Sequence, residues 1–153
     1  MFREMIRKDR EKGTEDITRI LEQGEYGVLS TISETGYPYS TPLNYTYING
    51  SIYFHSAKVG EKLHNIVCDE KVCFCVVGKT EVLPQKFSTK YESVIIFGKA
   101  SIVVDEEKQN AFISIIEKYS KDYMKEGLAY VDRAAENTTM IKITIDRVTC
   151  KGN

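Results

Sequence analysis

The chain has 153 residues, 42% hydrophobic and 28% charged, with a formal net charge of −1. That length suits one domain, spanning residues 1–153, able to bury roughly two-thirds of its unfolded surface without disulfides. The charge balance lacks the basic excess of a nucleic-acid binder, and apolar runs such as Val72–Val77 are too short to cross a bilayer. The four cysteines, Cys68, Cys73, Cys75 and Cys150, form no small disulfide framework, and the opening Met1-Phe2-Arg3-Glu4 lacks the apolar core of a signal peptide. The expectation is a cytoplasmic, reduced protein with no nucleic-acid or membrane partner.

Arg3–Lys12 is dense in charge and reads as a solvated arm or the polar face of a lead-in helix. Thr14 is positioned to cap a helix carrying Ile17, Ile20 and Leu21 at helical spacing, with Gly24 at its end. Tyr26–Ser33 is rich in β-formers, and Glu34-Thr35-Gly36 makes a turn. The strand-like run Tyr37–Ile48 contains Pro38 and Pro42, which cannot donate to a ladder. It is therefore predicted to be an edge, bent, or open near Pro42. Asn49-Gly50 is a strong hairpin signal leading into Ser51–Ser56.

A short helix fits Gly60–Cys68, with Leu63, Ile66 and Val67 on one face. Lys71–Val77 is apolar at successive positions, the pattern of a strand buried on both sides. Gly78–Thr89, with Pro84, reads as a loop. Val94–Val104 is a long strand with a bulge or bend at Gly98. Asp105 is positioned to cap a helix over Glu106–Tyr119, whose apolar face is Ala111, Phe112, Ile115 and Ile116. Ser120–Asn137 reads as helix fragments and loop. Met140–Val148 alternates, with Ile141, Ile143 and Ile145 on one side. Six strands or more, mostly antiparallel, with peripheral helices predict a mainly β closed or partly closed barrel; a flat sheet with helices on one face is the competing arrangement.

The chemistry concentrates in Ile52–Leu63. A strand ends at His55-Ser56-Ala57 and a helix restarts after Gly60. A helix N-terminus offers unpaired N–H groups and a positive dipole end to an anion. Lys62 in the first turn opposes that dipole unless an anion is present. One glycine, with no lysine directly after it, is not a Walker loop. Thr41-Pro42-Leu43-Asn44 is either an ordinary edge strand or a set of backbone groups available to a planar heterocycle. The tyrosines Tyr37, Tyr39, Tyr45, Tyr47 and Tyr53 read as half-buried barrel residues. His64 and Cys68 stand at a chelating i, i+4 spacing, but no pair of C-x-x-C motifs accompanies them, so the cysteines read as core residues and no metal site is expected.

Gly36-Tyr37-Pro38-Tyr39, Pro42-Leu43-Asn44-Tyr45, Ile52-Tyr53-Phe54-His55-Ser56-Ala57 and Gly60-x-Lys62-Leu63 resemble the pyridoxamine 5′-phosphate oxidase-like flavin-binding split barrels. Within them the resemblance is closest to the nitroimidazole-resistance (Nim) group. Arg7-Lys8-Asp9-Arg10, Val72-Cys73-Phe74, Tyr91–Ile95, Gly98-Lys99-Ala100 and a last strand running into Thr149 extend it over nearly the whole chain. The resemblance implies a six-stranded or larger antiparallel split β-barrel. It also implies a homodimer holding FMN at its subunit interface.

Carried over by position, Thr41, Pro42, Leu43 and Asn44 line the isoalloxazine edge. His55, Ser56 and Ala57 border the ring and ribityl chain, and Lys62 binds the phosphate beside Leu63. Ser93, within Tyr91–Val94, approaches the cofactor, in cis or from the partner chain. His55 is the candidate catalytic residue. The implied activity is an FMN-dependent oxidoreductase, nitroreductase-like or pyridoxamine-phosphate-oxidase-like, acting on a small-molecule substrate or electron donor. A non-catalytic flavin carrier, store or redox sensor is the alternative, and a deazaflavin or haem barrel a third. One departure stands out: Thr149-Cys150-Lys151 has cysteine where the family pattern has glycine.

Overall fold

The computed structural model describes residues 2–153. Its elements are helix α1 (Thr14–Gln23), strands β1 (Gly27–Ile32), β2 (Pro38–Leu43), β3 (Thr46–Ile48) and β4 (Ser51–Ala57), helix α2 (Glu61–Cys68), strands β5 (Lys71–Leu83) and β6 (Ser88–Val103), helices α3 (Asp105–Tyr119) and α4 (Met124–Ala134), and strand β7 (Thr138–Gly152). Among the described residues no helix is long and apolar enough to cross a membrane.

The strands form one antiparallel sheet in the order β2-β1-β5-β6-β7-β4-β3. The run Tyr37–Ile48 thus supplies both edges of the sheet. Only Asn44 and Tyr45 separate β2 from β3, so Leu43 and Thr46 lie at most about 11 Å apart along the chain. Laid flat, the outer strands of seven would be separated by about 29 Å. The sheet must therefore roll until its edges meet at Asn44–Tyr45, which rules out the flat alternative. No ladder joins β2 to β3 or β4 among the described residues, so the barrel is split along that seam.

Inside the roll, Leu29, Ile52, Phe54, Phe74, Val76, Val94, Ile96, Ile141 and Ile143 form the main core, closed at one end by Ile20 and Leu21 of α1. A second cluster, Tyr53, Val103, Phe112, Ile115, Val131 and Met140, lies under α3 and α4. Tyr45 is fully buried, its hydroxyl donating to Leu21 O at 2.7 Å and its ring edge-on to Phe74. The tyrosines do not form one half-buried set: Tyr45 and Tyr53 are buried, whereas Tyr37 is 76% exposed. Asn49 and Gly50 both take positive φ, 51° and 70°, and join β3 to β4 as the hairpin signal predicts.

Several local expectations change. Thr14 and Asp105 are the first residues of their helices, capped by Gly13 and Val104, and neither side chain makes a cap bond. Acidic residues in both first turns complement the macrodipole instead. Residues 78–89 are not a loop: β5 and β6 continue through them as a hairpin with register Thr80↔Tyr91 to Leu83↔Ser88, turning at Pro84–Lys86. Their exposure on both faces removes the alternation that marks a strand. Lys71–Val77 is central but buried on one face only. Val72, Phe74 and Val76 enter the core, while Cys73 and Cys75 are half-buried and Val77 is exposed. On α2, Val67 is exposed and Asn65 is fully buried. The charged arm is not merely solvated: Lys12 N donates to Cys150 O at 3.0 Å, and Glu11 bridges to Lys151.

The β6–β7 ladder shifts register between Phe97 and Gly98, where Phe97 faces Arg147 and Gly98 faces Ile145. The extra residue, Asp146, reverses the parity of β7. Odd-numbered Ile141 and Ile143 point inward before it, and even-numbered Val148 and Cys150 after it. A Cβ on Gly98 would collide with the backbone carbonyl oxygen of Thr144. Gly98→Ala is expected to lower stability by about 1–3 kcal/mol in chemical denaturation, since the obstruction is backbone rather than a movable side chain. An unchanged midpoint would show that the bulge does not depend on the glycine.

Candidate functional site at the split between β2 and β4

The registers expose two facing strand edges. β3 pairs only with Ser51–Tyr53, so Phe54–Ala57 of β4 has β7 on one side and no strand on the other. β2 pairs only with β1. Pro38 and Pro42 have no N–H, so their side of β2 must point away from β1, toward the seam. The outward-facing groups are therefore those of Pro38, Ser40 and Pro42. Thr41 and Leu43 direct their backbone toward Leu29 and Gly27. Thr41–Asn44 is thus not placed beside β4 by the Asn49-Gly50 hairpin, as its sequence position suggests. It forms the opposite lip of the seam. Asn44 is exposed, with Nδ2 donating to Glu25 O at 3.3 Å.

On β4 the side chains alternate. Ser56 points inward and is buried, and its Oγ has no hydrogen-bond partner among the described residues. His55 points toward α3, with its ring 5.8 Å from that of Phe112. Ala57 is exposed at the strand end. A single ligand reaches both His55 and Ser56 only around the open edge of β4. Part of the imidazole surface is accessible, yet Phe112 and α3 back it. That burial, and then the Lys62 ammonium, lower the His55 pKa from 6.5. The neutral imidazole is therefore the resting form at neutral pH.

Gly60 caps α2 with φ 143°, a conformation that L side chains rarely adopt, and a Cβ there would meet nothing within 4 Å. Its carbonyl accepts from Leu63 N at 3.1 Å and His64 N at 3.0 Å, which leaves the first-turn N–H groups facing outward. Lys62 is half-buried in this turn, and Leu63 enters the core. The structure thus gathers His55, Ser56, Ala57, Lys62 and Leu63 at one strand-to-helix turn, with Thr41–Asn44 across the seam.

Ser93 is elsewhere. It pairs with Lys151, whereas His55 pairs with Met140, so eleven residues of β7 separate the two registers. That is roughly 35 Å of strand. Cys150, where the family pattern has glycine, is buried in the core without positive φ, so the backbone at that position makes no demand for glycine.

Two polar features have no local sequence signal. Glu92 receives Arg19 Nη1 at 2.9 Å and Nη2 at 2.7 Å, and Lys79 N at 3.2 Å. The Arg19 pair holds the Glu92 carboxyl down to about 2. The pair lines a cavity of about 370 Å³ with Tyr26, Val77 and Thr80. Lys118 lies 3.8 Å above the Tyr45 ring, and burial brings its ammonium down to about 8. Arg19 and Glu92 are 73 residues apart in sequence, a separation that residue spacing cannot bridge.

The sequence profile of the pyridoxamine 5′-phosphate oxidase family matches residues 13–152, which include every element from α1 to β7. The chain belongs to this family. A Bacteroides thetaiotaomicron structure described as a 5-nitroimidazole antibiotic resistance protein is 28% identical. The match covers 92% of this chain and 84% of that one, with a TM-score of 0.79. A conserved hypothetical protein from Mycobacterium tuberculosis shares the fold at TM-score 0.84, with 23% identity over 97% of this chain and 90% of that one. An FAD-binding protein from Mesorhizobium loti shares it at TM-score 0.66, with 20% identity over 94% and 97%. No curated protein matches the chain.

Two measurements check the electrostatics of this family member. In an NMR titration the His55 ring protons should report a midpoint below 6.5, and Lys62→Gln should raise it by removing a neighbouring positive charge. An unmoved midpoint would separate the two residues. Because the folded pKa of Glu92 lies below its ordinary 4.5, the pair's contribution is present above that value and fades as pH falls toward about 2. Glu92→Gln should lower Tm by about 2–4 °C at pH 7 and leave it unchanged near pH 2.

Proposed function

We propose that this family member is an FMN-dependent oxidoreductase that works as a homodimer, with one flavin seated at each seam. The observation that carries the reading is the seam itself. Two unpaired strand edges face each other, an orphaned buried hydroxyl lies behind one of them, and a glycine-capped helix N-terminus with a lysine stands at its end.

These groups fit an FMN part by part. The α2 N-terminus and Lys62 would take the phosphate, with Leu63 anchoring the turn from the core. Ser56 Oγ would find its missing partner on the ribityl chain, beside the open backbone of His55 and Ala57. The Thr41–Asn44 lip, through the outward carbonyl of Pro42, and Ser40 beside it would meet the donor–acceptor edge of the ring. Bound there, a flavin supplies hydride and electron transfer, and the protein's part is to hold and tune it. His55, neutral and partly accessible, is suited to contact the substrate and hand over or receive a proton.

The dimer is supported by the outer face of the sheet. Cross-strand rows Val28–Cys75–Ile95 and Cys73–Phe97 lie there beside Val77, with Val77 52% exposed and Ile95 and Phe97 each 37% exposed. An apolar sheet face of this kind, covered by Phe2 only where its ring stacks on Phe97, suits a second subunit. Ser93 flanks it, paired with Val77, and would reach a flavin only from the partner subunit.

FMN should bind the purified protein at one per chain, quenching flavin fluorescence, and Lys62→Ala should weaken it by about 10–100-fold by removing a charge-assisted phosphate contact. The protein should size as a dimer. Failure to bind FMN while FAD or haem binds would move the chain to another cofactor, and binding unaffected by Lys62→Ala would overturn the phosphate assignment. Reduction of a nitroaromatic or quinone with a nicotinamide donor tests the oxidoreductase; bound flavin that no donor reduces would make the protein a carrier or sensor.

A further inference from the structure

On the exposed face of α2, beside the turn between β1 and β2, three side chains converge that the flavin reading does not use. Glu34 Oε1 accepts from Cys68 Sγ at 3.5 Å, and Glu34 Oε2 lies 3.5 Å from His64 Nε2. Cys68 Sγ is 3.8 Å from the same nitrogen. We propose that Glu34, His64 and Cys68 bind one tetrahedral divalent metal ion of the zinc type.

The spacing approaches that of three vertices of such a centre. Zinc bonds of about 2.3 Å to sulfur and about 2.0–2.2 Å to nitrogen and oxygen set tetrahedral edges of about 3.5 Å to sulfur and about 3.4 Å between nitrogen and oxygen. The Sγ–Nε2 separation lies within about 0.3 Å of such an edge; Glu34 meets the sulfur through Oε1 and the nitrogen through Oε2, and one donor atom from each residue lies within 4.8 Å of the others, so a rotation of the carboxylate would bring a single oxygen to the third vertex. A thiolate and a carboxylate neutralise the double charge, and a neutral imidazole completes the set. The mixed sulfur, nitrogen and oxygen donors favour zinc over magnesium or calcium, which prefer oxygen alone. All three side chains are exposed, so the fourth position is open to water or a small ligand.

The protein also fixes the ligands against one another. His64 and Cys68 are one helical turn apart on α2, so their side chains share a face. Glu34 belongs to the turn between β1 and β2, closed by Gly36 N to Ser33 O at 2.8 Å and by the Ser33–Thr35 hydroxyl pair at 2.7 Å. Fully buried Asn65, next to His64, donates Nδ2 to Thr31 Oγ1 at 3.0 Å. Thr31 stands three residues before Glu34. This buried bond ties the helix bearing two ligands to the strand leading to the third. The assignment is independent of any cofactor at the seam.

The test uses the full-length reduced protein, stripped with chelator and titrated with Co2+ as the probe. One Co2+ per chain is expected, with a thiolate-to-cobalt charge-transfer band, tetrahedral ligand-field bands, and displacement by Zn2+. Cys68→Ser should abolish the charge-transfer band. His64→Ala and Glu34→Ala should each weaken binding by at least the roughly tenfold that loss of an outer partner costs. Zn2+ should also slow alkylation of Cys68 and raise the Tm of the wild type but not of Cys68→Ser. Because the three residues are exposed, circular dichroism of the metal-free variants should match the wild type. A cobalt spectrum without a thiolate band, or a band that survives Cys68→Ser through Cys73 and Cys75, overturns the proposal.

Discussion

The shortness of the link between β2 and β3 governs this molecule. Two residues cannot span a flat seven-stranded sheet, so the sheet rolls and its two outer strands meet. Tyr45, in that link, is the fully buried pin. Its hydroxyl bonds Leu21 O, its ring meets Phe74, and its backbone N–H is taken by the Tyr119 hydroxyl at 3.1 Å. Strands, α1 and α3 are thus joined through one residue. The prolines of β2 then keep the seam from zipping shut, because Pro38 and Pro42 remove two of the three outward donors a ladder there would use. Closure and incompleteness come from adjacent residues of one segment.

The seam places chemistry where strand pairing ends. β4 loses its β3 neighbour after Tyr53, and the next four residues keep β7 on one side while their other edge stays unpaired. An unsatisfied buried hydroxyl such as that of Ser56 costs stability on its own, about 1–3 kcal/mol for a group left without a partner. A polar ligand at the seam would relieve that cost. Local instability and capacity to bind are here two aspects of one vacancy in the hydrogen-bonding pattern.

Local features of the fold were legible in the sequence, and long-range ones were not. Asn49-Gly50 announced its hairpin because its turn chemistry is confined to two residues. Gly98 announced a bulge for a similar reason. The apolar face of α3 followed from periodicity, with Ala111, Phe112 and Ile115 buried as expected. The extension of β5 and β6 through residues 78–89 did not show, since a ribbon exposed on both faces carries no hydrophobic alternation. Asn65 was hidden because its burial depends on Thr31, 34 residues earlier. The turn around Lys62 was recognisable from its residues alone. That Thr41–Asn44 faces it across a seam, rather than along a ladder, depends on the pairing of five other strands.

The separation of Ser93 from His55 along β7 has a consequence for concentration. A ligand that touches both can do so only by bridging two chains, because one chain holds them at opposite reaches of the same strand. Occupancy of such a site would follow mass action in protein as well as in ligand. Dilution would release the ligand, and the ligand in turn would hold the chains together. Assembly and loading would then be one equilibrium, written into the length of a single β-strand.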